Sequence, residues 1–133
     1  MNCIFLDDIR EPKDSFFYTK DIRYLKLDWM IVRSYDEFVK TIKNIGIDKI
    51  DIISFDHDLA DEHYGHEEQP WSTDGIIDYF SFVEKTGYDC AKWLCDYALE
   101  TNKKLPEILI HSFNHIGAEN IKQYIKNFIK YNT

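Results

Sequence analysis

The sequence predicts an α/β domain built on a mainly parallel sheet. Apolar runs of strand length alternate with amphipathic runs of helix length, in the order β, β-α, β-α, β-α. Three of the four apolar runs stop abruptly at acidic, histidine or amide side chains, as buried parallel strands do where the covering helices end. Parallel strands joined by right-handed crossovers then form one sheet with helices on its faces.

Four apolar segments are predicted to be strands because they are short and rich in β-branched and aromatic residues. They are residues 2–6, 29–32, 50–55 and 107–111. Residues 9–28 contain Pro12 and lack a helical period, so we expect an irregular connection there with one helical turn at most.

Three helices are predicted from capping signals and periodicity. Ser34 and Glu37 have capping-box spacing before a helix over residues 35–45, which Gly46 ends. Thr86 and Asp89 repeat that spacing before a helix that reaches about residue 101, and a last helix begins near residue 117. Residues 60–85 are rich in acids and histidines and form a long connection, which predicts a lid-like insertion.

Composition limits the classes of function. The 133 residues suffice for one domain with a core, and 44% hydrophobic residues exclude a disordered chain. The formal charge of −8 argues against a long nucleic acid as partner, which leaves a nucleotide or an RNA end. Three cysteines without C-x-x-C spacing indicate reduced core thiols. No leader or membrane-span pattern precedes the first strand, so we expect a cytoplasmic protein without membrane contact.

Acidic side chains follow two of the predicted strands. Asp7 and Asp8 come after the first strand, and Asp56 and Asp58 come after the third. The carboxyl ends of parallel strands share one edge of the sheet, where α/β proteins bind ligands. Crowded carboxylates repel one another unless a cation neutralises them, which predicts a Mg²⁺ or Mn²⁺ site. The alternative is that these acids only form turns and caps.

Two histidines stand at the same predicted edge. His57 and His111 near one phosphate would serve as general base and general acid at neutral pH. The alternative is a buried histidine whose ring nitrogens bond to protein groups. Arg10 suits bidentate binding of a phosphate, and Ser112 and Asn114 offer further hydrogen bonds to its oxygens.

Five blocks in order, LDDIREP, SYDEF, ISFDHDL, TGYDCAKWL and IHSFN, resemble the cyclic-phosphate processing receiver-like family. This family is a divergent branch of the response-regulator receiver fold. The resemblance covers nearly the whole chain apart from residues 13–28 and 60–85. It implies a three-layer α/β/α, flavodoxin-like domain with strand order 2-1-3-4. It also implies a phosphoesterase-like activity on cyclic phosphates, in RNA repair or in conflict between phage and host.

The likeness to ordinary receivers implies roles for single residues. Asp7 and Asp8 look like the acidic pair that holds Mg²⁺, and Asp56 looks like the phosphate-accepting aspartate. Asp58 stands at the position whose backbone carbonyl reaches the metal, and Ser112 at the position of the hydroxyl residue. Receivers also have a first helix and a fifth strand with a lysine, neither of which is recognisable here. The two histidines would then replace phosphorelay by turnover.

We therefore expect one domain over residues 1–133 with a lid-like insertion at about 60–85, acting as a metal-dependent phosphoesterase. The expected metal ligands are Asp7, Asp8, Asp56 and Asp58; the catalytic residues are Asp56, His57 and His111; the phosphate-binding residues are Arg10, Ser112 and Asn114. The substrate is a cyclic nucleotide or a 2′,3′-cyclic RNA end. Two alternatives are a receiver-like module that signals or binds a partner without catalysis, and a protein that sequesters a cyclic nucleotide.

Overall fold

A computed structural model describes residues 1–59 and 85–132. The strands are β1 (Cys3–Leu6), β2 (Trp29–Val32), β3 (Ile52–Phe55) and β4 (Glu107–Ile110). They form a four-stranded sheet in the order β2-β1-β3-β4, and every neighbouring pair is parallel. The predicted fold class and strand order are thus confirmed. The predicted lid-like insertion at about residues 60–85 falls almost entirely on residues 60–84, which lie outside the described residues.

In the described part of the chain four α-helices lie in the connections between strands, and the last helix follows β4. They are α1 (Pro12–Thr19), α2 (Arg23–Lys26), α3 (Tyr35–Ile45), α4 (Gly87–Thr101) and α5 (His115–Tyr131). A short 3-10 helix covers Ile47–Lys49. In this part of the chain no helix is both long enough and apolar enough to span a bilayer.

Local capping explains where α3 and α4 begin, as predicted. The Ser34 hydroxyl accepts the Glu37 N–H (3.2 Å), and Gly46 ends α3 with a positive φ of 95°. At α4 the Asp89 carboxylate accepts the Thr86 N–H (2.8 Å), and the Thr86 hydroxyl accepts the Asp89 N–H (3.4 Å). The two groups thereby satisfy donors that a helix start otherwise leaves unpaired.

The prediction of an irregular connection over residues 9–28 is wrong, because α1 and α2 lie there. Pro12 is the first residue of α1, where its fixed φ suits a helix and its missing N–H is not needed. The Asp14 carboxylate accepts the Glu11 N–H (2.9 Å) and closes the first turn. α5 likewise begins at His115, two residues before the predicted start, because the Asn114 side chain accepts the Gly117 N–H (2.9 Å).

The two faces of the sheet bury different side chains. Ile4, Leu6 and Phe55 join the main hydrophobic core with residues of α3, α4 and α5. Successive side chains of a strand point to opposite faces, so Phe5 lies on the other face, where its ring meets Tyr24 (centroids 6.0 Å apart). The α1 and α2 region covers that second face, which completes the three layers.

Candidate functional site

Three strand ends bring buried polar side chains to one level of the sheet. Leu6 pairs with Phe55, and Phe55 pairs with the last residue of β4, so the next residues in these strands are neighbours. These are Asp7, Asp56 and His111. The Asp56 N–H donates to the Leu6 carbonyl (2.9 Å), and the His111 N–H donates to the Phe55 carbonyl (2.9 Å). The convergence predicted for these three residues is therefore present.

The side chains of this cluster are almost completely shielded from solvent, with at most 1% of each residue exposed. One ligand atom from each of Asp7, Asp56 and His111 lies within 4.8 Å of the others. Asp56 Oδ1 accepts the His57 N–H (2.9 Å), but Asp56 Oδ2 is buried without a hydrogen-bond partner among the described residues. Such an oxygen is costly to bury, so the donor set fits a divalent cation with oxygen ligands.

The pKa values of the two carboxylates in the cluster are shifted in opposite directions. Burial raises the pKa of Asp56 well above its ordinary value, and the negative charges of Asp7 and Asp58 raise it further, against the positive charge of Arg10. Burial also acts to raise the pKa of Asp7, but hydrogen bonds from His111 and from two backbone N–H groups outweigh it and leave the pKa lowered. The ionised form is therefore stabilised at Asp7 and disfavoured at Asp56.

Both ring nitrogens of His111 are hydrogen-bonded. Nε2 lies 3.1 Å from Asp7 Oδ2, and Nδ1 lies 2.6 Å from the Ser54 hydroxyl, which is 2.6 Å from the Tyr24 hydroxyl. The imidazole stacks on Phe5 with ring centroids 4.2 Å apart and an interplanar angle of 10°. Burial lowers the pKa of His111, although its hydrogen bond to Asp7 opposes this effect.

The turn after β1 is held by side chains and places Arg10 near the cluster. Asp7 Oδ1 accepts the N–H groups of Ile9 (3.0 Å) and Arg10 (2.8 Å). Arg33 donates from Nη1 to the carbonyls of Asp7 (3.3 Å) and Arg10 (2.6 Å). The guanidinium carbon of Arg10 lies 4.5 Å from the centroid of the Phe113 ring. Arg10 therefore lies beside the segment that follows β4.

A second hydrogen-bonded network joins the end of β3 to the start of α5. His57 Nδ1 donates to Asp58 Oδ1 (2.7 Å), which also accepts from the Asn114 amide nitrogen (3.1 Å). The Asn114 amide oxygen caps α5 at Gly117. The His57 ring is fully buried, and the helix start packs against it.

The structure divides the predicted metal ligands into two groups. Asp7 and Asp56 contribute atoms to the cluster, and His111, predicted for proton transfer, joins them. Asp8 and Asp58 contribute none, since the Asp58 carboxylate faces the second network. In the described residues the carboxylates of the cluster are therefore those of Asp7 and Asp56, and the role implied for Asp58, through its backbone carbonyl, does not depend on its carboxylate.

The remaining predicted residues surround the cluster without joining it. His57 and Asn114 belong to the second network, and both ends of the Asn114 amide are bonded to protein groups. The Ser112 hydroxyl accepts the Asn114 N–H (3.1 Å) at the start of α5. Arg10 and Ser112 are half-buried, and both follow strands that end at the cluster.

Sequence reasoning missed three contributors to this region. Ser54 is the one hydroxyl within the apolar β3 run, a signal that was available. Tyr24 lies in the connection predicted to be irregular, and nothing in the sequence links it to β3. Gly87 begins α4 directly beside β3: a Cβ there would lie 1.8 Å from the Asp56 carbonyl oxygen, so only glycine fits.

Two surface grooves lie away from the cluster. One of about 440 Å³ runs between β4 and α5, and another of about 660 Å³ lies at the ends of α4 and α5. Neither is lined by Asp7, Asp56 or His111, so the converging polar groups rather than these grooves mark the candidate site.

Comparison with known families agrees with this geometry. A family model described as "Cyclic-phosphate processing Receiver domain" matches residues 2–127. The chain belongs to this family. The match to this receiver domain includes all four strands and every residue of the cluster, and the family description implies a role in cyclic-phosphate processing. No curated protein and no solved structure matches the chain.

Proposed function

We propose that this receiver domain is a metal-dependent phosphoesterase that opens cyclic phosphates, either 2′,3′-cyclic phosphate ends of RNA or cyclic nucleotides. The observation that carries the proposal is Asp56 Oδ2, a buried carboxylate oxygen without a partner among the described residues, beside Asp7 and His111. The family description supplies the substrate class. RNA repair and conflict between phage and host are the settings implied by the resemblance.

In this proposal Asp7 and Asp56 hold Mg²⁺ or Mn²⁺. A bound divalent cation polarises a phosphate and stabilises the negative charge that develops on it. Arg10 offers two parallel N–H donors to phosphate oxygens, and the Ser112 hydroxyl offers a third. We assign Asn114 to the helix cap rather than to phosphate, because its amide is already bonded at both ends.

Opening a cyclic phosphate adds water across one P–O ester bond, and the leaving oxygen takes a proton. Asp56 Oδ2 is the atom with the capacity either to bind the cation or to attack phosphorus directly. Direct attack would form an aspartyl-phosphate that water then hydrolyses. Proton transfer by His111 requires that its hydrogen bond to Asp7 open during the reaction, because both of its ring nitrogens are bonded. The bond from His57 to Asp58 involves only Nδ1 and does not impose this requirement on His57.

The test is turnover with Mg²⁺ or Mn²⁺ on three substrates: 2′,3′-cyclic nucleotides, 3′,5′-cyclic nucleotides and an RNA oligomer with a cyclic end. We expect one substrate class to be opened, and we expect Asp56→Asn and Asp7→Asn to lower the rate at least about 100-fold. Asp36→Asn removes an exposed acid on α3 and serves as the matched control. A folded, cation-binding protein that makes no product contradicts the proposal. Transfer of labelled phosphate to Asp56 distinguishes the covalent route from direct attack by water.

One observation favours a second candidate, a receiver-like module without turnover. The presence of α1 removes one of the two departures from ordinary receivers that the sequence suggested. Under this candidate, a small acyl phosphate labels Asp56 in the presence of Mg²⁺, while cyclic phosphates remain intact. Tight binding of a cyclic nucleotide without product would instead indicate sequestration.

We also propose that the protein works in the cytoplasm. Cys3, Cys90 and Cys95 are free and buried, which suits a reducing compartment. Expression as a fusion to a fluorescent protein, followed by imaging, tests this location.

A further inference from the structure

Four buried side chains form one continuous line of hydrogen bonds along the face of the sheet that also buries Phe5. It runs from the Tyr24 hydroxyl to the Ser54 hydroxyl (2.6 Å), on to His111 Nδ1 (2.6 Å), and from His111 Nε2 to Asp7 Oδ2 (3.1 Å). Tyr24, the most exposed of the four, has 4% of its surface accessible. The four side chains are therefore shielded from bulk water, and each hydrogen in the line must come from one of the four groups.

The direction of the last bond follows from Asp7. Its Oδ1 accepts two backbone N–H groups, at 3.0 and 2.8 Å, so the carboxylate is surrounded by donors. An ionised carboxylate only accepts hydrogen bonds. His111 Nε2 must therefore carry a hydrogen and donate it to Oδ2. This conclusion holds whether the imidazole is neutral or charged, because Nε2 carries a hydrogen in both cases.

The other directions follow from the same line of contacts when the ring is neutral. With the hydrogen on Nε2, Nδ1 has a lone pair and accepts from the Ser54 hydroxyl. Ser54 has then used its one hydrogen, so its oxygen accepts from Tyr24. Burial raises the pKa of Tyr24 to about 12, so this hydroxyl keeps its hydrogen at neutral pH. Each of the two hydroxyl hydrogens thus takes part in one hydrogen bond.

We propose that Tyr24 and Ser54 are positioning residues that anchor the His111 ring with its Nε2–H directed at Asp7. In this arrangement His111 orients the Asp7 carboxylate toward the cation and is not itself a ligand. The ring cannot easily turn away, because it stacks on Phe5 at 4.2 Å. The role of the cation in this inference rests on the proposed function, whereas the state of the ring does not.

The same geometry excludes a nucleophilic role for Ser54. Serine, histidine and aspartate in hydrogen-bonded order also form the triad of serine hydrolases. A triad serine needs an oxygen that a substrate can reach, and Ser54 is fully buried with its oxygen bonded to Tyr24. The line of hydrogen bonds therefore supports a neighbouring group instead of attacking a substrate. Hydrogen-bond partners of ligating carboxylates commonly act in this way.

The first test uses the cation-free protein and the nitrogen-15 spectrum of its histidine rings. We expect Nε2 of His111 to be protonated in the wild type. In Ser54→Ala the Nδ1 resonance shifts toward the value of a free lone pair, and Tyr24→Phe shifts it less in the same direction. Tyr18→Phe is the matched control, since Tyr18 donates to the backbone carbonyl of His111 and not to its ring. An unprotonated Nε2, or a Tyr18→Phe shift as large as that of Ser54→Ala, overturns the inference.

The second test begins with the wild-type protein and bound Mn²⁺, so its expected result does not depend on the folding of a variant. Pulsed electron paramagnetic resonance detects a nitrogen coordinated to Mn²⁺, and we expect no such coupling from His111. A nitrogen coupling that His111→Gln removes overturns the inference. We further expect Ser54→Ala to weaken Mn²⁺ binding about 10-fold through misplacement of Asp7.

These measurements separate the inference from the proposed function. A protein that opens no cyclic phosphate, yet shows the expected ring state and no nitrogen coupling to Mn²⁺, overturns the proposed function and supports the inference. A protein that binds no Mn²⁺ overturns the role of the cation in both. Unchanged Mn²⁺ affinity in a folded Ser54→Ala protein overturns the positioning role.

Discussion

Gly117 lies directly against the imidazole ring of His57. A Cβ built at Gly117 would be 2.3 Å from Cγ of His57 and 2.6 Å from its Nδ1. The ring has no room to retreat, because it is fully buried and bonded to Asp58. The absence of a side chain at residue 117 is thus what lets α5 begin beside the end of β3.

Gly117→Ala should therefore destabilise the fold. Overpacking of a buried ring costs about 1–3 kcal/mol, which exceeds the gain of about 1 kcal/mol from replacing glycine within a helix. Chemical unfolding should show a lower free energy of unfolding and an unchanged dependence on denaturant. Lys126→Ala changes an exposed residue of the same helix and should stay within about 0.5 kcal/mol of wild type. Equal stability of Gly117→Ala and Lys126→Ala would contradict the packing seen here.

The cation-free protein should lose stability as the pH rises from acidic to neutral, because of Asp56. Its pKa is raised in the folded protein, so the folded state holds this proton more tightly than the unfolded state does. The stabilising contribution is complete below the ordinary value of 3.8 and is lost as the pH rises through the folded pKa. Unfolding titrations in the presence of a chelator, at pH values between about 4 and 8, measure the slope of the free energy of unfolding against pH.

Asp56→Asn should flatten that slope and stabilise the cation-free protein at neutral pH by about 1–3 kcal/mol, because the amide carries no charge to be buried beside Asp7 and Asp58. Asp36→Asn should leave the slope unchanged. Asp7 acts in the opposite direction, since its pKa is lowered. The stabilising contribution of Asp7 is present above its ordinary pKa and is lost as the pH falls through its pKa in the folded protein. Asp7 therefore changes the free energy of unfolding only at acidic pH. A slope that persists in Asp56→Asn would contradict the assignment.

Mg²⁺ or Mn²⁺ should stabilise the wild-type fold, because only the folded state assembles Asp7 beside Asp56. A ligand present at 100 times its dissociation constant raises the free energy of unfolding by about 2.7 kcal/mol. Thermal unfolding in a series of cation concentrations measures the effect. Asp7→Asn and Asp56→Asn should both abolish it. Stabilisation that survives in either variant would locate the cation elsewhere.

The three thiols should be unreactive in the folded protein. Cys3, Cys90 and Cys95 are at most 1% exposed, and burial raises the pKa of Cys95 to about 12 and that of Cys90 well above its ordinary value. Thiolate is the reactive form, so neither access nor ionisation favours modification. A colorimetric thiol reagent should modify none of them at neutral pH and all three after denaturation. Fast modification before unfolding would contradict this packing.

The parts of the fold that the sequence predicted are those with strong local signals. Ser34 with Glu37 and Thr86 with Asp89 marked two helix starts, and apolar runs marked the strands. Strand order and the parallel arrangement then placed Asp7 beside Asp56 without any knowledge of side-chain contacts. α1 was missed because its helical period is weak, and Pro12 was interpreted as a break although it occupies the first position of a helix.

The interior of the candidate site was less accessible to sequence reasoning. Tyr24 and Ser54 are 30 residues apart, and Ser54 and His111 are 57 apart, so no spacing rule connects them. The orientation of a carboxylate also depends on its neighbours. Asp56 and Asp58 both follow β3, two residues apart, yet the Asp58 side chain turns to Asn114 because the start of α5 lies on that side.

The pairing of β1, β3 and β4 has a consequence beyond holding the sheet together. Asp7, Asp56 and His111 meet because the three strands end in the same register. A slip of one residue in any strand would turn its polar side chain to the opposite face of the sheet. The cluster thus reports on correct assembly: a molecule with one misaligned strand could still be compact, but it would lack the cluster. Selection for the role of the cluster would then also select against misfolded forms of this chain.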